Sequence, residues 1–199
     1  MTQSIEITVC MPVWNSGPVL KKTLQQLATS AAAVDIDIRR LLLVDNNSKD
    51  DTVSIAEDEA SRNGWELTVV QGEYNLPEAR EVAINRINTE WFLFLDDDVR
   101  LPKEYLTELV DCIAPRIGAI QGRKGTNQER PWEWTQRRVH RGGTHATLIR
   151  TASVSGLTIP SGIDVLEDEY IRRAVESNGY IWIFNHQARF EHDSMDRHS

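Results

Sequence analysis

The sequence predicts one α/β domain, a mostly parallel sheet flanked by helices, and three observations predict it. Short β-branched or apolar runs alternate with helical periodicity through the first 112 residues. One run, Trp91-Phe92-Leu93-Phe94-Leu95, is apolar at every position, as in a strand buried on both faces. Each run gives way to a polar turn, and right-handed crossovers between parallel strands bring all such turns to one edge.

In order, Ile5 to Met11 is the first strand, β-branched and bounded by Pro12. Asn15-Ser16-Gly17-Pro18 opens a helix, with Leu20, Leu24, Leu27 and Ala28 at helical spacing. Ile38 to Val44 is the second strand. Asp50-Asp51 starts a helix that runs to about Arg62 and stops at Gly64. Trp65 to Val70 is the third strand, and Asn75-Leu76-Pro77-Glu78 starts a third helix. The Trp91–Leu95 strand ends in Asp96-Asp97-Asp98, and a helix follows Leu101-Pro102 to about Cys112. The second half is less regular. Ile117 to Gln121 and Thr144 to Arg150 read as strands, separated by a polar, Trp-containing loop or lid. Leu166 to Asn178 is a helix with acids at its start, ended by Gly179. Tyr180 to Phe184 and Ala188 to Phe190 read as two short edge strands.

This order collects Pro12 to Asn15, Asp45 to Ser48, Gly72 to Asn75 and Asp96 to Asp98 at the sheet edge where α/β folds bind ligands. Three adjacent carboxylates repel one another when half-buried. A divalent cation, Mg²⁺ or Mn²⁺, relieves that conflict with hard oxygen ligands. The plainer alternative is a solvated acidic turn that caps the next helix. Neither G-x-G-x-x-G nor a P-loop follows the first strand, so glycine-rich phosphate binding is not the mode.

Composition limits the partners. Lys and Arg total 22 against 30 Asp and Glu, a net charge of −8 that argues against nucleic acid. Yet residues 121–145 carry six basic residues (Arg123, Lys124, Arg130, Arg137, Arg138, Arg141) against Glu129 and Glu133. With Trp132 and Trp134, that segment suits an anionic acceptor or a peripheral membrane contact. Cys10 and Cys112 form no C-x-x-C pair and read as core thiols in a reducing compartment. No signal-peptide core and no run of apolar residues long enough to span a bilayer is present, so the expectation is cytoplasmic.

Pro12-Val13-Trp14-Asn15, Val44-Asp45-Asn46-Asn47-Ser48 with Asp51-Thr52, Asn75 with Ala79-Arg80, Asp96-Asp97-Asp98 and Glu167-Asp168 resemble the successive motifs of family-2 glycosyltransferases. The likeness spans roughly residues 5 to 192. It implies a GT-A-like, Rossmann-related fold, a nucleotide-diphospho-sugar donor, a divalent metal at a D-x-D motif, and an inverting displacement. Residues 1–112 would then form the nucleotide-sugar-binding half and 113–199 the acceptor and catalytic half.

The resemblance places Pro12, Trp14, Asn15, Asp45, Asn46, Arg80, Asp96 and Asp97 about the donor, with Asp96 on its ribose. Asp98, with Asp96 and His192, would ligate the metal; His186 competes for the last role. Asp168 is the general base it implies, with Glu167 as substitute. Without it, Asp168–Arg172 and Glu169–Arg173 read as i, i+4 pairs on a solvated helix. Asn46 stands where many members carry Asp. Its amide both donates and accepts, which leaves uracil, thymine and guanine open. The acceptor side would be a sugar, a lipid-linked molecule or a small molecule. Two other readings compete: a sugar nucleotidyltransferase, and a sugar-nucleotide-binding module without catalysis. The first ordinarily has a glycine-rich, basic phosphate loop after its first strand, absent here. The second predicts binding without turnover.

Overall fold

The structure is a computed structural model that describes residues 4–125 and 143–193. Strands β1 (Ile5–Val13), β2 (Ile36–Asp45), β3 (Glu66–Gln71) and β4 (Trp91–Leu95) alternate with helices α1 (Gly17–Ala31), α2 (Thr52–Asn63) and α3 (Leu76–Ile84). Then follow β5 (Val99–Arg100), α4 (Tyr105–Val110), β6 (Ile117–Lys124), β7 (Ala146–Arg150), helix α5 (Glu167–Ser177) and β8 (Ile181–His192). The strand order is β3-β2-β1-β4-β7-β6-β8-β5. Neighbours β3, β2, β1 and β4 run parallel, as do β6 and β8. Antiparallel β7 joins the two groups, pairing with β4 on one side and β6 on the other.

Side-chain alternation explains the layering. Ile7, Val9 and Met11 of β1 point to one face, where Leu20, Leu24 and Leu27 of α1, Ala56 of α2 and Leu106 of α4 cover them. Cys10, Leu42, Val44, Phe92 and Phe94 point to the other, under Ala79 and Ala83 of α3 and Ile171 and Val175 of α5. Because both faces are covered, β4 is buried at all five positions. Phe92 and Phe94 meet edge to face at 5.1 Å.

Helix ends follow local chemistry. α1 has Pro18 in its first turn. α2 stops at Gly64, whose φ of +72° no β-carbon has to tolerate. α3 begins with a capping box: Asn75 Oδ1 accepts from the Glu78 N–H at 2.9 Å, and Glu78 Oε2 accepts from the Asn75 N–H at 3.0 Å.

Asp51 is the N-cap of α2, as expected, and the Asp50 carboxylate accepts from the Gly17 N–H at 2.9 Å, lacing the first two loops. Two expectations need correction. The two short strands expected at 180–190 are one strand, β8. Its register against β6 slips between Phe184 and Arg189, and that irregularity hides its continuity in the sequence. The i, i+4 pair Asp168–Arg172 is absent: Arg172 Nε donates to Glu176 at 2.9 Å instead.

Among the described residues, no helix is long and apolar enough to cross a membrane. Of the basic segment, Arg123 is buried in β6 and Lys124 is exposed. Arg130, Arg137, Arg138, Arg141 and both tryptophans lie outside the described residues.

Candidate active site

The carboxyl ends of β1 to β4, the start of β7, the start of α5 and the end of β8 meet at one edge. Two adjoining hollows open there, each of about 250 Å³. The first is a mostly apolar slot lined by Pro12, Val13, Trp14, Val44, Asn46, Tyr74, Asn75, Leu76 and Ala79. The second is acidic, walled by Asp96, Asp97, Asp98 and His192, and shares Pro12 and Leu76 with the first. Trp14, 50% exposed, is part of the slot lining.

The loops that shape the slot are tied together by polar side chains. Asn15 sits at φ +48°, its N–H bonded to Ser48 Oγ at 2.8 Å and its Oδ1 to the Lys49 N–H at 2.8 Å. Asp45 is fully buried and accepts from Ser48 Oγ at 2.5 Å and Gln71 Nε2 at 2.9 Å, so it braces the loop behind the slot wall. Asn46 Oδ1 accepts from the Tyr74 N–H at 3.1 Å.

In the acidic hollow, Asp96 is the centre. Arg80 Nη2 lies 3.1 Å from its Oδ1 and His145 Nδ1 lies 2.5 Å from its Oδ2. Burial works to raise its pKa, but the Arg80 charge and the His145 contact outweigh burial and hold it at about 2. The hydrogen bond to Asp96 in turn raises the pKa of His145, against the opposing effect of burial. Asp98 Oδ1 meets His192 Nε2 at 3.2 Å, and burial lowers the His192 pKa. Asp97 turns toward the α1 side: its Oδ2 accepts from Ser16 Oγ, and its carbonyl from Thr23 Oγ1 at 2.6 Å.

One oxygen or nitrogen from each of Asp96, His145 and His192 lies within 4.8 Å of the other two. Carboxylate oxygens with imidazole nitrogens form a donor set that fits a divalent transition ion. His145 is the residue the sequence reading missed. It lies one position before β7, and the antiparallel register sets Leu95 opposite Ala146, with the Asp96 N–H on the His145 carbonyl at 2.8 Å. No local spacing signals that pairing.

Arg80, which the resemblance set about the donor, does not line the slot. It is 1% exposed and lies over the Phe94 ring at 5.0 Å. Its guanidinium joins Asp96 to Glu167, Nε lying 3.1 Å from Glu167 Oε1. Glu167 is therefore buried against a cation, and burial raises its pKa, with the neighbouring Asp168 charge adding to it. Asp168 is half-buried and accepts from Thr144 Oγ1, the neighbour of His145. Asp168 thus joins the same rim as the aspartate triplet, through Thr144 and through Arg80.

The sequence matches the family model "Glycosyl transferase family 2" over residues 8–163. The chain belongs to glycosyl transferase family 2. Its Glu167-Asp168 pair lies beyond the matched span. Solved structures of other glycosyltransferases share its fold. The mannosyltransferase PcManGT of Pyrobaculum calidifontis, in complex with GDP-Man and Mn²⁺, superposes with a TM-score of 0.75 at 20% identity, over 96% of this chain and 58% of that one. S. aureus TarS 1–349 with UDP gives 0.73 at 21% identity, over 94% of this chain and 60% of that one. Glucosyl-3-phosphoglycerate synthase of Mycobacterium tuberculosis, with Mn²⁺, UDP and phosphoglyceric acid, gives 0.68 at 15% identity, over 96% and 72%. This family-2 chain thus spans about three-fifths of the first two of these chains. No curated protein matches it in sequence.

Proposed function

We propose that this chain transfers one sugar from a nucleotide-diphospho-sugar to an acceptor hydroxyl, inverting the anomeric carbon, with a divalent metal at the acidic hollow. One observation carries the reading. The carboxylates after β4 and His192 line a hollow that shares Pro12 and Leu76 with the slot; His145 adjoins Asp96, and Asp168 is tied to Thr144, the neighbour of His145. The family's solved relatives with UDP, GDP-Man and Mn²⁺ support the same donor class.

In this reading the slot holds the base, with Trp14 stacked on it and Pro12, Asn46 and Leu76 at its edges. Asn46 presents its amide nitrogen, because Tyr74 occupies the oxygen. Asp96, Asp98, His145 and His192 would hold the ion, and two imidazoles favour Mn²⁺ over Mg²⁺. When bound, the metal supplies positive charge to the departing diphosphate.

Asp168 takes the proton from the acceptor hydroxyl. A half-buried carboxylate oriented by the Thr144 hydroxyl suits that task. Glu167 is held by Arg80, leaving one carboxylate for the acceptor side and hence a single, inverting displacement. Arg80 keeps the donor and acceptor sides in register. The 113–199 half supplies Asp168 and both histidines, so the hollow draws on both halves of the chain. The basic segment 121–145 would receive the acceptor.

The test is a thermal-shift panel of UDP-, GDP- and dTDP-sugars with and without Mn²⁺. A donor that binds only the native state raises Tm by mass action. Stabilisation by one nucleotide class, larger with Mn²⁺, is the expected result. No response to any donor would remove the transferase reading. Binding without release of nucleoside diphosphate, identical in wild type and Asp168→Asn, would leave a binding module instead.

A further inference from the structure

Helix α3 grips the segment leading into α5 at three points. Glu81 Oε1 accepts from the Ile159 N–H at 3.1 Å. Asn75 Nδ2 donates to the Ile163 carbonyl at 3.1 Å and lies 3.3 Å from Asp164 Oδ1. Arg80 Nε reaches Glu167 at 3.1 Å. The gripped segment has little order of its own to rely on. Residues 157–166 form neither helix nor strand, and Val165 and Leu166 are exposed. Leu166 also sits at φ +73°, a left-handed conformation that costs a bulky side chain energy and persists only where its surroundings enforce it. Glu167 and Asp168 follow it directly.

Asn75 differs from the other two grips because its amide has two tasks. Its oxygen caps α3 by accepting from the Glu78 N–H, while its nitrogen holds the Ile163–Asp164 turn. The same residue lines the apolar slot beside Leu76.

We propose that Asn75 is a positioning residue, whose amide nitrogen latches the Ile163–Asp164 turn to the slot end of α3 and thereby sets where Asp168 stands. Its effect on turnover rests on the transferase reading above; the latch itself does not. A base displaced by a fraction of an ångström to an ångström still leaves the donor bound but loses transition-state alignment. The latch therefore acts on turnover at saturating donor, apart from any contact Asn75 makes as part of the slot wall.

An isosteric change separates the two tasks. Asn75→Asp keeps an oxygen for the Glu78 N–H, removes the donor to Ile163, and sets a second carboxylate against Asp164. Adding Asp164→Asn returns a donor from the opposite side. Hydrogen exchange is measured on the free proteins over residues 157–168 and over α3. Donor affinity and nucleoside diphosphate release are measured with Mn²⁺ and whichever UDP- or GDP-sugar stabilises the wild type.

Asn75→Asp should speed exchange over 157–168 and leave α3 protected; because Asn75 lines the slot, release is compared at saturating donor. Release should fall roughly tenfold or more. Asn75→Asp/Asp164→Asn restores the side-chain pair but not the bond to the Ile163 carbonyl, and should recover part of both protection and release. Unchanged exchange over 157–168 in Asn75→Asp, or no recovery in the double variant, would overturn the latch. Equal loss of protection in α3 would reduce Asn75 to a helix cap and overturn it too. A wild type that binds no donor would sink the transferase reading alone, since the exchange pattern and its rescue still decide the latch.

Discussion

The apolar slot and the acidic hollow share Pro12 and Leu76 as walls, yet they are assembled in opposite ways. The slot is made by consecutive β–α turns, each a few residues past a parallel strand. Asn15, Ser48, Lys49 and Asp45 lace those turns to one another. The hollow draws on β4, the residues before β7, the start of α5 and the end of β8, which are distant in sequence. Its charges face one another and are balanced by Arg80 and by imidazoles. A mostly apolar slot tolerates local construction, whereas concentrated charge needs counter-charges from across the sheet.

That contrast breaks most sharply at Asp168. Asp168→Asn should lower sugar transfer by about 10²–10⁴-fold while nucleotide binding in the slot persists. The measurement is nucleoside diphosphate release at saturating donor, and near-normal release would disqualify Asp168 as the base.

Arg80 comes next, as the strut between the two carboxylate groups. Arg80→Met should cost about 3–5 kcal/mol of stability, because it strands buried Glu167 and half-buried Asp96 without their cation. Glu167 already has a raised pKa from burial, and loss of Arg80 raises it further. A native carboxyl with a raised pKa binds protons the unfolded chain does not, so its contribution to stability is lost as pH rises. The penalty in chemical denaturation should therefore be smaller in mildly acidic buffer than in alkaline buffer.

His145 tests the hollow without touching the slot. His145→Asn should weaken Mn²⁺ binding by roughly 10–100-fold, read from the electron paramagnetic signal of free Mn²⁺. Nucleotide binding without metal should be unaffected. The mildest change is in the slot. Trp14→Ala removes base stacking, commonly about 1–3 kcal/mol per base, and should weaken nucleotide binding equally with and without Mn²⁺. A loss confined to Mn²⁺ buffers would mean the two hollows are one site energetically.

The same contrast governs what the amino-acid sequence reveals. The β1–β4 turns were legible because apolar runs, Gly64 and the Asn75–Glu78 capping box are local signals, and parallel crossovers do the gathering. Family membership and the GT-A-like sheet follow from that half together with its motifs. His145 was not legible, because it reaches Asp96 only through the antiparallel pairing of β4 with β7. Nor was the buried strut: the resemblance set Arg80 about the donor, and only the fold shows Asp96 and Glu167 flanking it. Asp97 shows the converse. It is indistinguishable from its neighbours in the triplet, yet alternation along the chain turns it toward Ser16. β8 escaped recognition as one strand because its register slip interrupts the period on which strand reading depends.

Calorimetric titration of the responding nucleotide-sugar, with Mn²⁺, into Asp98→Asn and Asp168→Asn proteins tests most directly whether metal and base stand on opposite sides of one donor. Asp98→Asn should lose the Mn²⁺-dependent affinity, while Asp168→Asn should bind as the wild type does. Wild-type affinity in Asp98→Asn, or equal loss in both, would contradict the account.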